Sequence, residues 1–527
     1  MGYSEIECYL CGVSFKIGRL RTMEEVQTPL DLPPSMLVNM DIYIKNASWS
    51  IIQRCEDVEG CRSRKYTLPG GTGEMDEHIA GPACGHTGGY HGRFISVQEM
   101  HGCCTAQALV PKPDDWEPEE DDDDDIEQDG FFLTGLCDDI PSPDLDDMDT
   151  FPERHDCHEP QVCNFYHDDQ MERAAMAFHP ACLEVFKRAS LRRFGSIDVQ
   201  GLMEWFRLDA AWSTHNPVSH SAAVNRGRDQ WFRHVVGDEF LAANPCFVPR
   251  LQHILRAHTG QAEDTDIGQD ASQDDASPPP SSPNQDPFTT LPYELLTQIL
   301  FELEPSEAVN LLEASSVLRA FPQTFFRELL LRQKPWIWEA WCDLPYSYWT
   351  TTTETALRRQ DEKWQKAAQD FEKTFKDGFA ELYNLPDEYL ESTRTLEHQL
   401  KEKYGELCRK LFEREKYVEV PVLSPTQTDW YGIYVETEKQ HQKMLGIRNR
   451  ERIWKDCEEI LDRIEKYRKD GKIRSFDEIM EERMARLARL ETSDDSDDDD
   501  DDNGDESGEN GESDENDDSN GSGSGEE

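Results

Sequence analysis

The chain has 527 residues with 54 basic and 108 acidic side chains, which give a formal net charge of −54. This excess of acids argues against nucleic acid as a main partner, because phosphate contacts need clustered Lys and Arg. The sequence has no run of 18 apolar residues and no basic segment before an apolar run at its start, so we expect no membrane span and no signal peptide. It therefore predicts a cytoplasmic or nuclear protein whose cysteines are reduced or bind metal.

Cysteine and histidine are concentrated in the first half of the chain. Residues before 259 hold 12 of the 15 cysteines and 13 of the 15 histidines. Apolar runs at 36–44, 48–53 and 93–97 predict short strands among Gly-rich turns. We predict that residues 1–258 form one mixed α+β, Cys/His-rich domain, interrupted by a disordered acidic insertion at about 111–129. Helical periods later in this domain are carried by Ala181, Val185 and Ala189, and then by Val199, Met203 and Phe206.

Two pairs of metal-binding residue types in this domain are suited to share one ion. Cys8 and Cys11 form a CxxC pair followed by Gly12, which is typical of a zinc knuckle. His179 and Cys182 form an HxxC pair at a predicted helix start, where the helix dipole favours a thiolate. We expect a structural zinc ion at these four side chains. The alternative is that Cys8 and Cys11 are free thiols and Cys182 is a core residue.

The other cysteine and histidine clusters have looser spacing. A second zinc site within 157–167 is an alternative, but we interpret these clusters as buried cysteines and surface histidines. The residues concerned are Cys55, Cys61, Cys84, His86, Cys103, Cys104, Cys157, His158, Cys163 and His167.

A Pro-rich stretch at 259–286 predicts a disordered linker, and the segment at 287–341 that follows has a helical period. Three short helices are expected there, the second beginning after Pro305 with Ser306 as its cap and the third at about Val317. Helices this short cannot bury all their Leu and Ile among themselves, so apolar surface is left for a partner. The apolar stripe of the first helix consists of Leu291, Leu295, Leu296, Ile299, Leu300 and Leu303.

The order of residues in this segment resembles the F-box family. The matching residues are Leu291, Pro292, Glu294, Leu295, Leu296, Ile299 and Leu300, followed by Leu303, Pro305, Glu307, Ala314, Ser315 and Arg319. Ser316 and Leu318 depart from the family, which often has a basic residue and a Trp at these positions. The resemblance covers only this segment.

The resemblance implies a substrate receptor of an SCF-type ubiquitin ligase. In that family a Skp-type adaptor covers the exposed aliphatic side chains, and a cullin scaffold lies beyond the adaptor. The receptor acts by proximity and supplies no catalytic residue, so we expect no enzyme activity. The adaptor-binding residues implied in this chain are Leu291, Pro292, Leu295, Leu296, Ile299, Leu300, Leu303, Leu311 and Leu312.

The sequence after residue 341 predicts a helical region followed by a disordered tail. Residues 342–490 are expected to be a helical region with an extended stretch at 419–436, and a cluster of tryptophans before it is interpreted as core. Residues 491–527 hold 19 acids and no Lys or Arg, which predicts a disordered tail. The predicted fold class is thus mainly α, with a mixed α+β domain in front. The tryptophans are Trp336, Trp338, Trp341 and Trp349.

Common catalytic motifs are absent from the sequence. It contains no HExxH metal-binding helix, no GxSxG nucleophile turn and no phosphate loop ending in Gly-Lys-Ser/Thr. The alternative to a ubiquitin-ligase receptor is therefore a zinc-stabilised interaction scaffold, whose F-box-like helices pack inside the chain.

Overall fold

A computed structural model describes much of the first half of the chain, the F-box-like segment and two C-terminal helices. The described residues are 7–15, 17–22, 25, 60–67, 74–112, 116–118, 126, 130–136, 175–210, 217–229, 234–259, 286–347, 350, 417–418 and 423–473. Several predicted features lie wholly or mostly outside these residues: the strands at 36–44 and 48–53, the insertion at 111–129, the cluster at 157–167, the linker and the acidic tail.

Short strands form small sheets in the described part of the chain. The strands are β1 (Arg19–Leu20), β2 (Arg62–Thr67), β3 (Glu74–Ile79), β4 (Tyr90–His91), β5 (Gln107–Pro111), β6 (Phe131–Leu133), β7 (Met176–Phe178), β8 (Tyr346–Ser347) and β9 (Tyr417–Val418). β1 pairs with β4 in parallel, and β2 and β3 form an antiparallel hairpin. β5 lies between β6 and β7 in an antiparallel sheet, and β8 pairs antiparallel with β9. The three-stranded sheet leads through β7 directly into the first helix.

The helices of the Cys/His-rich region begin and end at residues suited to those positions. They are α1 (Pro180–Phe194), α2 (Val199–Trp205), α3 (Ala222–Asp229) and α4 (Pro249–His258). Pro180 fixes φ at the first position of α1, where a missing N–H costs nothing, and Gly195 ends that helix with a φ of 77°. Asp198 caps α2 by accepting a hydrogen bond from Gly201 N at 2.9 Å. The predicted apolar face of α1 is confirmed, because Ala181, Val185 and Ala189 are all buried.

The F-box-like segment is helical, with one helix more than expected. Its helices are α5 (Tyr293–Glu302), α6 (Pro305–Ala314), α7 (Ser316–Arg319) and α8 (Gln323–Gln333). The prediction that Ser306 caps α6 is wrong, since Pro305 already occupies the first turn and Glu304 with Glu307 forms a capping box. The third expected helix is divided, because Pro322 cannot continue α7 and begins α8 instead.

Two further helices follow in the C-terminal part, α9 (Trp430–Lys439) and α10 (Leu445–Lys469). The predicted extended stretch at 419–436 is wrong over its second half, because Asp429 caps a helix there and accepts from Gly432 N at 3.0 Å. One face of α9 is buried, and it carries Trp430, Ile433 and Tyr434. None of the helices in the described ranges combines the length and apolar character needed to cross a bilayer.

The predicted strand at 93–97 is also wrong. Phe94 N and Ile95 N donate to His91 O at 2.9 and 3.2 Å, which makes a turn. Ser96 and Glu99 stabilise a second turn reciprocally: Ser96 N donates to the Glu99 carboxylate and Glu99 N to Ser96 Oγ. Local side-chain bonds of this kind compete with strand pairing.

One hydrophobic core runs through the described residues from Cys8 to Ile473. α10 packs against α1 and α2, and α9 packs against α4, α6 and α8. The interpretation of the tryptophans as core is confirmed for Trp336, Trp338 and the half-buried Trp341, whereas Trp349 lies outside the described residues. The domain boundaries drawn from the sequence stay predictions. The coarse fold class, helices with small sheets around an N-terminal Cys/His-rich region, is confirmed.

Candidate metal centre and F-box-like surface

The CxxC pair lies on a tight turn that brings its two thiols together. Cys11 N and Gly12 N both donate to Cys8 O, at 3.2 and 2.7 Å, and Cys8 N donates to Val13 O at 3.0 Å. Gly12 has a φ of 66°, a conformation that L side chains adopt only at a cost. The glycine after the second cysteine is thus required by the backbone of the knuckle.

The HxxC pair lies where β7 becomes α1, next to the knuckle. Tyr9 N donates to Ala177 O at 3.0 Å, which joins the knuckle to β7. His179 N donates to Cys8 Sγ at 3.4 Å. Cys182 belongs to the first turn of α1, where the helix dipole favours a thiolate. The strand-to-helix junction therefore places both donors against a knuckle from the other end of the domain.

The four donor atoms have the spacing of a tetrahedral metal site. Cys8, Cys11, His179 and Cys182 are all buried, and their ligand atoms lie within 4.8 Å of one another. His179 Nδ1 is 3.6 Å from Cys11 Sγ and 3.8 Å from Cys182 Sγ. A tetrahedral zinc with bonds of about 2.0–2.3 Å separates its ligand atoms by about 3.5–3.8 Å. These side chains can therefore hold a metal ion such as zinc.

The thiols of this group differ in acidity. Burial raises the pKa of Cys8 and of Cys182 well above the usual thiol value. Burial opposes ionisation of Cys11 too, but hydrogen bonds from Cys182, Cys8 and His179 keep its pKa well below that value. A metal ion would displace the remaining protons and bind three thiolates, because the thiolate is the ligand form.

A buried arginine from α10 lies beside the centre. Arg452 Nη1 donates to Cys11 O at 2.7 Å and to Asp456 Oδ2 at 3.0 Å. Burial opposes its charge, but Asp456 raises the pKa of Arg452. Asp456 also bonds His220 Nδ1 at 3.0 Å, and the His220 ring occupies the space that a Cβ on Gly12 would need. Three thiolates, one imidazole and a divalent ion carry a net charge of −1, which a nearby guanidinium partly compensates.

A second group of metal-binding residue types was not predicted from the sequence. Cys61, His78 and Cys84 have ligand atoms within 4.8 Å of one another, with His78 Nε2 3.3 Å from Cys84 Sγ. The β2–β3 hairpin makes this group, since its register pairs Ser63 with His78 and leaves Cys61 just beyond the last pair. His86, proposed as a neighbour of Cys84, instead accepts a bond from Gly88 N at 2.8 Å through Nδ1. This group too can hold a metal ion, with three of the donors in place.

The F-box-like residues on α5, beside its two ends and on α6 divide between exposed and buried positions. Leu291 is 37% exposed, Leu295 is 48% exposed, and Pro292 is also exposed. Ile299, Leu303 and Leu311 are half-buried. Leu296, Leu300 and Leu312 are buried in the core of the chain itself. We call Leu291, Pro292, Leu295, Ile299 and Leu303 the outer face.

Comparisons with known proteins do not identify a family for this chain. A scan against family models finds no match, and searches of curated proteins and of solved structures find no significant one. The F-box resemblance is therefore one of residue pattern, and the function is argued below from that pattern and from the geometry.

Proposed function

We propose that the chain is an F-box substrate receptor of an SCF-type ubiquitin ligase, with structural zinc in its Cys/His-rich region. The outer face of α5 would bind a Skp-type adaptor, which in turn would join the chain to a cullin. The receptor would supply no catalytic residue. It would act by holding a protein substrate near a charged ubiquitin carrier, which raises the effective concentration of the target lysines.

The exposure of the outer face is the observation that carries this proposal. The large aliphatic side chains of Leu291, just before α5, and of Leu295, within it, are exposed, while the neighbours at 296 and 300 are buried. A helix whose only role was internal packing would gain nothing from a second apolar face. Glu294, Glu302, Glu304 and Glu307 are exposed around this face and supply the polar rim that protein interfaces have.

Zinc has a supporting role in this proposal. The centre at Cys8, Cys11, His179 and Cys182 has no room for substrate, because all four donors are buried and the fourth position is already taken by protein. Closed four-ligand sites are structural, whereas catalytic zinc keeps an open position. The metal would hold the N-terminal knuckle on α1 and so complete the core against which the F-box-like helices pack.

Capture by a purified Skp-type adaptor tests the proposal. Leu295→Asp places a charge in the middle of the outer face and should weaken adaptor binding at least tenfold, because an interface core excludes unpaired charge. Leu208→Asp is the matched control, since Leu208 is 45% exposed and lies in the π-helical segment Phe206–Ala210 that follows α2, outside the F-box-like segment. The proposal would be contradicted if the Leu295→Asp variant captured the adaptor as well as wild type does. It would also be contradicted if both variants lost adaptor binding equally.

An interaction scaffold without a ubiquitin role is the second candidate. It is favoured by the packing of Leu296, Leu300 and Leu312 inside the chain and by the contact of α6 with α9. If wild-type chain fails to capture the adaptor while zinc is bound stoichiometrically, the scaffold becomes the better description.

A further inference from the structure

A cavity of about 520 Å³ lies between α4, the segment before β8 and α10. Small-molecule sites have volumes of about 300–1,000 Å³ and mostly apolar walls. The apolar wall here comes from Cys246, Val248, Leu251 and Leu255, all buried. The exposed lining residues, including Phe247 at 40% exposure, mark the opening to solvent.

Two buried hydrogen-bond donors at this cavity have bonding capacity left over. Arg450 uses Nε to donate to Pro245 O and Nη1 to donate to Trp336 O and Glu339. Its Nη2 has no hydrogen-bond partner among the described residues. The Tyr346 hydroxyl accepts from Trp338 Nε1 at 2.9 Å, and no acceptor for its own proton is found in the described ranges. Both side chains are at least nine-tenths buried and line the cavity.

Trp338 contacts both of these donors. The Arg450 guanidinium lies 3.7 Å from the Trp338 ring centroid, and the Tyr346 hydroxyl is bonded to the indole N–H. Because buried donors without acceptors are costly, a bound molecule that supplies an acceptor would relieve both at once.

The charge balance at the cavity favours an uncharged ligand. Both carboxylate oxygens of Glu339 lie 3.1 Å from Arg450 Nη1, so the pair is already neutral. A second buried pair, Arg188 with Glu184, lies near the same aromatic rings. A ligand carboxylate would have to compete with Glu339 for Arg450 and would suffer repulsion from it.

We propose that this cavity binds a small, uncharged, mainly apolar molecule that presents a carbonyl-type acceptor to Arg450 Nη2 and the Tyr346 hydroxyl. The apolar part of the molecule lies along α4. This site is separate from the outer face of α5, so the result of testing it does not depend on the proposed ubiquitin-ligase role.

Octanamide is a suitable uncharged probe, and sodium octanoate is its charged counterpart. The binding of each to the full chain is measured by isothermal titration calorimetry. Octanamide should bind, and octanoate should bind at least tenfold more weakly. Gln252→Trp, an exposed change on α4 at the opening, should reduce octanamide affinity at least tenfold. His253→Trp is the matched control, because His253 is the exposed neighbour of Gln252 on the same helix but does not line the cavity, and this variant should bind like wild type.

Tyr346→Phe gives a second test that keeps the size and shape of the pocket. Loss of one donor should weaken octanamide about three- to tenfold. The proposal is overturned if octanamide does not bind, if octanoate binds as tightly, or if Gln252→Trp and Tyr346→Phe both bind like wild type.

Discussion

At the scale of single residues, the candidate metal donors were the part of the site best predicted from sequence. The CxxC and HxxC spacings named Cys8, Cys11, His179 and Cys182, and the structure brings these four together. His78 was not predicted, because the β2–β3 hairpin brings it next to Cys61 and the turn after β3 brings Cys84 back to it, an arrangement that only the fold reveals. Spacing therefore finds donors that share a turn, but not donors brought together by strand pairing.

The proposed zinc centre at Cys8, Cys11, His179 and Cys182 should contribute strongly to stability. Cys8→Ser removes one thiolate, so the chain should lose one zinc ion relative to wild type, and unfolding should become easier by more than about 3 kcal/mol because metal binding is part of the folding free energy. The measurements are zinc content by elemental analysis and the denaturant midpoint. Cys342→Ser is the control, since Cys342 is a buried free thiol outside both metal groups. Equal zinc in wild type and Cys8→Ser would refute the site.

At the scale of elements, α10 is the helix that connects the metal centre to the rest of the core. Arg452 bonds the knuckle at Cys11 O, and Arg450 bonds Pro245 O and Glu339. Both arginines are buried in a helix whose sequence is highly charged. The helical period of α10 was predictable, but charges on a helix usually form a solvated face, and only the bonds of Arg450 and Arg452 to other segments show that these two charges are internal.

The ion pair between Arg452 and Asp456 on α10 can be tested with a double-mutant cycle. Arg452→Met leaves Asp456 buried without its cationic partner and should cost about 3–5 kcal/mol of unfolding free energy. Adding Asp456→Asn removes that charge but keeps an acceptor for His220, so the double variant should recover at least about 1 kcal/mol. Urea unfolding of the four proteins gives the coupling. Strict additivity of the two single losses would show that the pair is not coupled.

The sequence pattern of α5 predicts its apolar residues but not which of them are exposed. The four-residue period predicted a wide apolar stripe from Leu291 to Leu303, and it is present within α5 at Leu295, Leu296, Ile299 and Leu300, whereas Leu291 and Leu303 lie just outside the helix. Which half of it faces solvent could not be read from the period, because that depends on α8 lying against one side of the helix. Leu295 is left exposed and Leu300 is covered for this reason.

At the scale of the whole molecule, distant parts of the chain share one core. Residues from the knuckle, α1, the F-box-like helices and α10 belong to the same buried cluster. The period of the hydrophobic residues predicted most of these helices one by one, because a helix can be recognised from its own local sequence. Their assembly depends on contacts between residues more than 400 positions apart, such as Arg452 with Cys11, which no local pattern encodes.

Hydrogen exchange of the full chain, with and without a purified Skp-type adaptor, tests the central claim most directly. The outer face of α5 is proposed as the adaptor-binding surface, so adaptor should slow exchange at least tenfold in peptides covering 289–303. Peptides from α10 should be unchanged, because that helix is already buried. Unaltered exchange at 289–303 in the presence of saturating adaptor, or protection confined to other segments, would contradict the account.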